Sequence, residues 1–395
     1  MVASVLVQLS NKNIDKTFDY LVPSFLEEEV KIGKRVQVPF GKQVLEGFVL
    51  ALKKESECEN LKSIQKVIDE ESILNEELLY LGKWMQKNTM STLINCYQVM
   101  LPKALKAKNG VVVSKKYDTY LTLTQPYELL MQKKWRQSQR EILDKFQQND
   151  KVKKEWLNKI SASSVKTLLK QHILKEEIEE VYRYQKEYSI KPKYPLTIDQ
   201  QKVVEKVLQK KNSNQTFLLH GVTGSGKTEV YMELIESVLK EGKSSIVLVP
   251  EISLTPQIVA RFQSRFGENI AVLHSRLSDG EKYDEWRKIA RGEVKIVIGA
   301  RSAIFAPLEN IGMIIVDEEH STTYKQENNP KYHAIDVAKE RSRIHNCPLV
   351  LGSATPSLES YARAMKEVYQ LVELPKRVNQ KQLPKVSIKS EAKRS

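Results

Sequence analysis

The sequence predicts an α/β protein: a lobe of parallel strands alternating with helices, preceded by a small β-rich domain and a winged-helix-like one. From Leu196 onward, apolar β-branched runs (TFLLH, SSIVLVP, NIAVLH, VKIVIG, MIIVDE, PLVLGS) alternate with helical stretches such as EVYMELIESVLKEG, PQIVARFQSRF and DGEKYDEWRKIARG. That rhythm belongs to a doubly wound sheet with helices on its faces. The N-terminal part instead shows short β-rich runs, VASVLVQL, FDYLVP, KRVQVPF and LEGFVLAL, punctuated by Gly33, Gly41 and Gly47, as a small β-domain would. Between them the helical stretches SQREILDKF and SASSVKTLLKQH lead into the strand-like IEEVYRYQKEY.

Taken in order, the β-rich domain covers 1–105 and closes on a helix, ILNEELLYLGKWMQKNT, whose face of Leu78, Leu81 and Met85 is read as core packing. The winged-helix-like domain covers 106–190. Within it Ser161 can cap a helix, while Lys166, Lys170 and His172 are candidates to face phosphates as a recognition helix does. A linker, YSIKPKYPLT with Pro192 and Pro195, ends that pattern. The α/β lobe covers 196–375, and 376–395 is a basic tail.

At 395 residues the chain exceeds a single hydrophobic core. Its hydrophobic share of 41% and charged share of 28% are ordinary for a globular protein. No apolar run approaches the ~18 residues a bilayer span needs, and the start, MVASVLVQLSNKNIDKTFDY, lacks the marks of a secretory signal; a cytoplasmic location without membrane contact is expected. Cys58, Cys96 and Cys347 are far apart and never form CxxC, so neither a disulfide framework nor a zinc site is predicted. The net charge of +14 favours a polyanionic partner, with nucleic acid first; a Lys-rich solvated surface is the competing explanation.

The sharpest chemical signal is GVTGSGKT, comprising Gly221, Val222, Thr223, Gly224, Ser225, Gly226, Lys227 and Thr228, set between the strand FLLH and the helix EVYMELI. Its glycines let backbone N–H groups and a helix N-terminus close around phosphates. Lys227 is predicted to bridge the β- and γ-phosphates of ATP, and Thr228 to bind Mg2+ through its hydroxyl. The second signal is IIVDEEH, an apolar strand that ends in carboxylates at the edge where open α/β sheets bind ligands. There Asp317 would hold Mg2+, and Glu318 would orient or deprotonate the attacking water.

DEEH and GSATPS, residues 352–357, resemble motifs II and III of superfamily 2 helicases, so the lobe is expected to be RecA-like. HGVTGSGKTEVY, VPEISLTPQ, LHSRLSDGEK, IGARSAIFAP and DEEHSTTYKQENNPKYHAIDVA further resemble the primosomal replication-restart helicases, the primosomal protein N′ family. The likeness reaches the N-terminal FDYLVP and RVQVPFG. It implies an ATP-dependent helicase that loads on stalled or branched forks, moves 3′ to 5′ along single strands and works with primosome loader proteins and single-strand-binding protein.

It also implies roles at matching positions. Gln200 in LTIDQQ resembles the adenine-reading glutamine, with Gln201 beside it. Phe18, Asp19, Gly41 and Lys62 match a pocket for the 3′ end of a nascent strand: a ring to stack a base, an acceptor for a hydroxyl, room for close approach and a cation for phosphate. Arg301 would grip single-stranded backbone. Tyr324, Lys325, Tyr332 and His333 resemble an aromatic-rich loop that senses DNA. Ser353, Thr355 and His320 would couple the carboxylates to that grip, with the serine and threonine acting through their hydroxyls. Zinc is expected of the family, but the cysteine-rich module is not found in this sequence. After LPKVSI the sequence turns to KSEAKRS, so the second lobe and its arginine finger are also expected to be missing. Hydrolysis and unwinding by the chain alone should then be impaired, the alternative behaviour being that of a non-catalytic fork-binding fragment.

Overall fold

Alternating side chains decide the N-terminal architecture. The computed structural model describes residues 1–9, 15–108, 113–184 and 188–378. In it β1 (Val2–Val7), β2 (Phe18–Leu21), β3 (Arg35–Phe40), β4 (Gln43–Lys53) and β5 (Lys66–Val67) make a five-stranded antiparallel sheet ordered β2-β1-β4-β3-β5. Successive residues point to opposite faces. Ala3, Val5 and Val7 therefore join Val36, Val38 and Val49 in one core, whereas Leu6 and Phe48 share a cluster with residues of α1 (Glu76–Thr89) and α2 (Leu93–Met100). Helix α1 starts where Asn75 Oδ1 accepts the Leu78 N–H at 2.9 Å, with Glu76 and Glu77 in its positively polarised first turn.

Leu78, Leu81 and Met85 are buried as the apolar face requires, but their cluster does not stop at the β-sheet. It runs on through Ile304, Phe305 and Ala306 into the α/β lobe, and one compact unit takes in Met1–Val112 and Lys186–Ser395.

That seam is pinned by an ion cluster. Arg341 is fully buried; its guanidinium donates to Glu77 at 2.7 and 2.9 Å and to the carbonyls of Ile304 and Ala306 at 2.7 and 2.9 Å. His345 Nδ1 accepts the Ile311 N–H at 3.3 Å, which leaves Nε2 to carry the proton toward Glu77, 3.0 Å away. Burial alone would raise the Glu77 pKa. Arg341 and His345 outweigh it and bring the carboxyl down from 4.5 to about 2.

A second compact unit spans Val113–Gln185. It holds β6 (Lys116–Leu123), α3 (Tyr127–Met131), α4 (Gln137–Asp144), β7 (Lys151–Lys153), α5 (Lys154–Lys170) and β8 (Leu174–Val181), the strands being antiparallel in the order β7-β6-β8. SASSVKTLLKQH opens a helical segment at Ser161, as expected: α5 is two helical segments joined at a kink there, where Ser161 has an extended φ of −164° and ψ of 104°. Ser161 Oγ accepts the Ser164 N–H at 3.3 Å, so it caps the second half of α5. Lys166, Lys170 and His172 are exposed.

The α/β lobe runs α6 (Ile198–Leu208), β9 (Thr216–Gly221), α7 (Lys227–Lys240), β10 (Ser244–Leu248), α8 (Pro256–Phe266), β11 (Ile270–Leu273) and α9 (Asp279–Ala290). It continues with β12 (Ile296–Gly299), β13 (Ile311–Asp317), α10 (Ala334–His345), β14 (Leu349–Ser353), α11 (Leu358–Met365) and β15 (Gln370–Leu374). The seven-stranded sheet is parallel throughout, in the order β11-β12-β10-β13-β14-β9-β15. The carboxyl ends of β13, β14 and β9 thus lie side by side, and the loops leaving them converge on one edge. The basic tail is described only as far as Val378; the rest of 376–395 lies outside the described residues. No helix among the described residues is long and apolar enough to cross a membrane.

Candidate functional site

The loop between β9 and α7 is shaped by glycines that no other residue replaces cheaply. Gly224 and Gly226 both have φ of +81°, and a Cβ on Gly221 would stand 2.7 Å from Ser225 Oγ. The backbone therefore curls tightly before α7, whose first N–H groups have no partner within the helix and are polarised for an anion. Lys227 Nζ, at the start of α7, donates to the Gly221 carbonyl at 2.9 Å and stands 4.0 Å from Glu318. Ser225 Oγ is buried without a hydrogen-bond partner. Beneath the loop Gln200 closes a capping box: its Oε1 accepts the Thr197 N–H at 2.8 Å, and its amide nitrogen donates to the Ser225 carbonyl at 2.9 Å. Each amide atom keeps a second hydrogen-bonding valence.

At the neighbouring end of β13, burial raises the pKa of Asp317. The Tyr231 hydroxyl, which donates to Asp317 Oδ1 at 2.8 Å, opposes the rise; Glu318 adds to it and Lys227 opposes it. Glu318 has φ of +47°, a left-handed conformation that is costly for a residue with a side chain. Its Oε2 lies 3.6 Å from His320 Nδ1, which in turn is 2.8 Å from Ser353 Oγ. Glu319 turns the other way and fastens the start of α11, accepting the Ser357 N–H at 2.6 Å and the Ser360 hydroxyl at 2.8 Å. The Asp317 carboxylate and the Thr228 hydroxyl on the first turn of α7 are hard oxygen donors of the kind Mg2+ takes. A buried carboxylate with a raised pKa and an orphaned Ser225 hydroxyl fit a cation and a phosphate anion at this edge. Among the described residues no group of three or more His, Cys, Asp or Glu side chains could hold a metal ion.

In the antiparallel sheet a different carboxylate is surrounded by donors. Asp19 accepts the Ser4 and Ser56 hydroxyls at 2.6 and 2.8 Å, and Lys53 Nζ lies 3.3 Å away. Burial works to raise its pKa, but these donors together hold it below the usual value. Phe18 beside it meets Phe40 edge-on at 5.1 Å; Gly41 follows with φ of +58°, and Lys62 Nζ is 3.4 Å from the Gly41 carbonyl. Phe18, Gly41 and Lys62 are thus linked through Phe40 and the Gly41 carbonyl, whereas Asp19, the next residue of β2, turns to the opposite face of the sheet toward Ser4.

Comparison with known proteins finds two matching domain profiles. The profile of the 3′ DNA-binding domain (3′BD) of PriA matches residues 4–102, and that of DEAD/DEAH box helicases matches 197–364. Replication restart protein PriA of Bacillus subtilis (strain 168) is 43% identical, over 98% of this chain and 57% of its own length. That of Chlamydia pneumoniae is 36% identical over 95% of this chain and 52% of its own length, and that of Synechocystis sp. is 47% identical over 58% of this chain and 28% of its own. The chain belongs to the PriA replication restart family. It spans about half the length of the curated relatives it matches most fully.

Within that family frame the structure brings Gln200, Lys227, Thr228, Asp317, Glu318, His320 and Ser353 to one edge of the sheet, but it corrects two details. Tyr324 and Tyr332 are 0% and 4% exposed and offer no face for a base to stack on. The Tyr324 hydroxyl donates to the Asp317 carbonyl at 2.6 Å, and Tyr332 packs edge-on against Phe305 at 5.1 Å; apolar burial draws both rings inward. Of that loop Lys325 is exposed, and Arg301 anchors it by donating to the carbonyls of Thr323 and Lys325 at 3.2 and 2.6 Å. The second correction concerns Thr355: its backbone N–H, not its hydroxyl, joins Ser353 at 3.0 Å, and Ser353 reaches Glu318 only through His320.

Sequence reasoning missed Tyr231, Glu319, and the donors Ser4, Lys53 and Ser56 around Asp19. Tyr231 carried one local signal, because a tyrosine on the buried face of a helix needs a partner for its hydroxyl. Gly352 is the other half of that contact: a Cβ there would collide with the Tyr231 hydroxyl.

Proposed function

We propose that this chain is the fork-binding and ATP-binding part of a replication-restart DNA helicase that tracks 3′ to 5′ on single strands. One observation carries the reading: a phosphate loop facing a strand-end carboxylate pair shares a compact unit with the antiparallel sheet that carries Phe18, Asp19, Gly41 and Lys62. At the nucleotide site Lys227 exchanges the Gly221 carbonyl for the β- and γ-phosphates, and the N–H groups of 221–228 surround them. Gln200 uses its spare donor and acceptor valences on adenine. Asp317 and Thr228 would hold Mg2+, which when bound neutralises charge developing on the phosphate oxygens. Glu318 orients the attacking water and takes its proton, with His320 and Ser353 steadying it.

On the DNA side, Phe18 stacks the terminal base, Asp19 accepts from the 3′-hydroxyl, Gly41 allows close approach and Lys62 meets phosphate. Arg301 and Lys325 contact single-stranded backbone. A cytoplasmic setting, with primosome loader proteins and single-strand-binding protein as partners, follows from the family resemblance.

The test is ATP hydrolysis by the purified chain, with and without forked DNA bearing a 3′ end. Hydrolysis that the fork stimulates and Lys227→Ala reduces by at least about a hundredfold supports the reading. Fork binding with no turnover would leave a DNA-holding protein and sink the catalytic half of the proposal.

A further inference from the structure

The residues that follow β15 turn back over the phosphate loop. Strand β15 runs parallel to β9, with Leu374 opposite Gly221, so both strands deliver their next residues to the same edge. The Val222 N–H donates to the Leu374 carbonyl at 3.2 Å, and the Val378 N–H donates to the Gly224 carbonyl at 3.0 Å. The segment Leu374–Val378 is therefore a strap hydrogen-bonded to the loop at both of its ends. Gly226 lies between the strap and Gln200: a Cβ there would meet the Gln200 amide on one side and stand 3.1 Å from Val378 Cγ2 on the other.

Arg377 is the charged residue of this strap that crosses Gly224. A Cβ on Gly224 would stand 3.8 Å from Arg377 Cγ and 4.0 Å from Cδ, so the aliphatic stem lies along the glycine. Its Nε is buried without a hydrogen-bond partner, although a buried donor is normally satisfied and an orphan calls for an explanation. The guanidinium also makes no ion pair among the described residues. A planar fork of donors, left unpaired over Gly224 of a loop built to cradle an anion, is matched to phosphate oxygens in a way that a lysine's point charge is not.

We propose that Arg377 is a nucleotide-binding residue whose guanidinium hydrogen-bonds the phosphate chain held by 221–228, so that the strap leaving β15 is held down when nucleotide is present. The inference rests on the reading of 221–228 as an ATP-binding loop. It extends that site to a residue outside the motif, some 150 positions along the chain.

The experiment is equilibrium binding to the whole chain by calorimetry, with the β,γ-imido analogue of ATP, ADP and inorganic tripolyphosphate as separate titrants. Arg377→Ala should weaken all three by about tenfold or more, since hydrogen bonds to charged groups contribute on that scale. Arg377→Lys should recover only part of the loss, and Lys376→Ala, a change of the same charge on the adjacent exposed residue, should bind as wild type does. Melting temperatures measured alongside check that each variant is folded. Binding by Arg377→Ala within twofold of wild type would overturn the inference. So would tighter binding, which would make the strap an obstruction, or a loss confined to the two nucleotides with tripolyphosphate unchanged, which would move the contact to base or ribose. A wild-type chain that bound none of the three, or a Lys227→Ala variant that bound them all equally well, would instead overturn the ATP-binding reading and this inference with it.

Discussion

Asp19 and Asp317 are carboxylates on strands of two different sheets, and the protein treats them in opposite ways. Around Asp19 two hydroxyls and an ammonium supply donors, and the carboxyl is held below its usual pKa. Around Asp317 one tyrosine hydroxyl donates to the side chain, a second carboxylate stands next to it, and burial pushes the pKa up. The N-terminal sheet has supplied its own counter-charges, whereas the lobe has left a carboxylate electrostatically unsatisfied. In the function proposed above, that carboxylate is the one that would hold the cation. Glu77, at the seam between the two regions, is the limiting satisfied case: Arg341 and His345 bring its pKa to about 2.

The contrast can be broken by neutralising each carboxylate in turn. The largest effect is expected for Asp317→Asn. Loss of the cation-binding charge should lower hydrolysis by about a hundredfold or more, while the melting temperature holds or rises by a degree or two, because a folded-state pKa above the unfolded value means that the charged form opposes folding. An Asn variant that melts clearly below wild type would show that Asp317 is a structural residue after all.

Next in size is Glu77→Ala, which strands a fully buried guanidinium and should cost about 3–5 kcal/mol in denaturant unfolding. Linkage gives the same residue a pH signature. Its folded pKa is depressed, so its contribution is fully present above about 4.5 and is lost as pH falls toward about 2, a total of about 3 kcal/mol. The Ala variant should lack that share of the acid limb; acid profiles of equal slope would contradict the buried pair.

The smallest change is expected for Asp19→Asn, a loss of about 1 kcal/mol as charge-assisted hydrogen bonds become neutral ones. The same substitution should narrow the preference for forks ending in a 3′-hydroxyl over a 3′-phosphate. An unchanged preference would remove Asp19 from end recognition and leave it as a brace for Ser4 and Ser56.

How much of this was legible beforehand depends on whether the determinant is local. Short elements with a clear period were readable, down to the apolar runs that became β9, β10, β11, β12, β13 and β14. QLVEL, the edge strand β15, was not singled out, because a short edge strand with mixed burial carries little periodic signal. The continuation of α5 back to Lys154 was hidden for a related reason: LNKIS reads as helix, but the break at Ser161 splits its pattern in two. Burial of Tyr324 was illegible because TTYKQ is polar on both sides and looks like an exposed loop, yet the ring is drawn under the strand end by Asp317 and Leu248.

By itself the sequence determined the phosphate loop, its placement between a strand and a helix, and the carboxylates ending IIVDEEH. Those depend on contiguous residues whose backbone preferences and spacing are physical constraints in their own right. Only the tertiary structure decided that Tyr231 steadies Asp317, that Arg341 and His345 lock Glu77 across the seam, and that Arg377 lies on Gly224. Each of these pairs depends on which strands and helices lie side by side. That order is set by burying every apolar face at once, a condition that no single stretch of the chain contains.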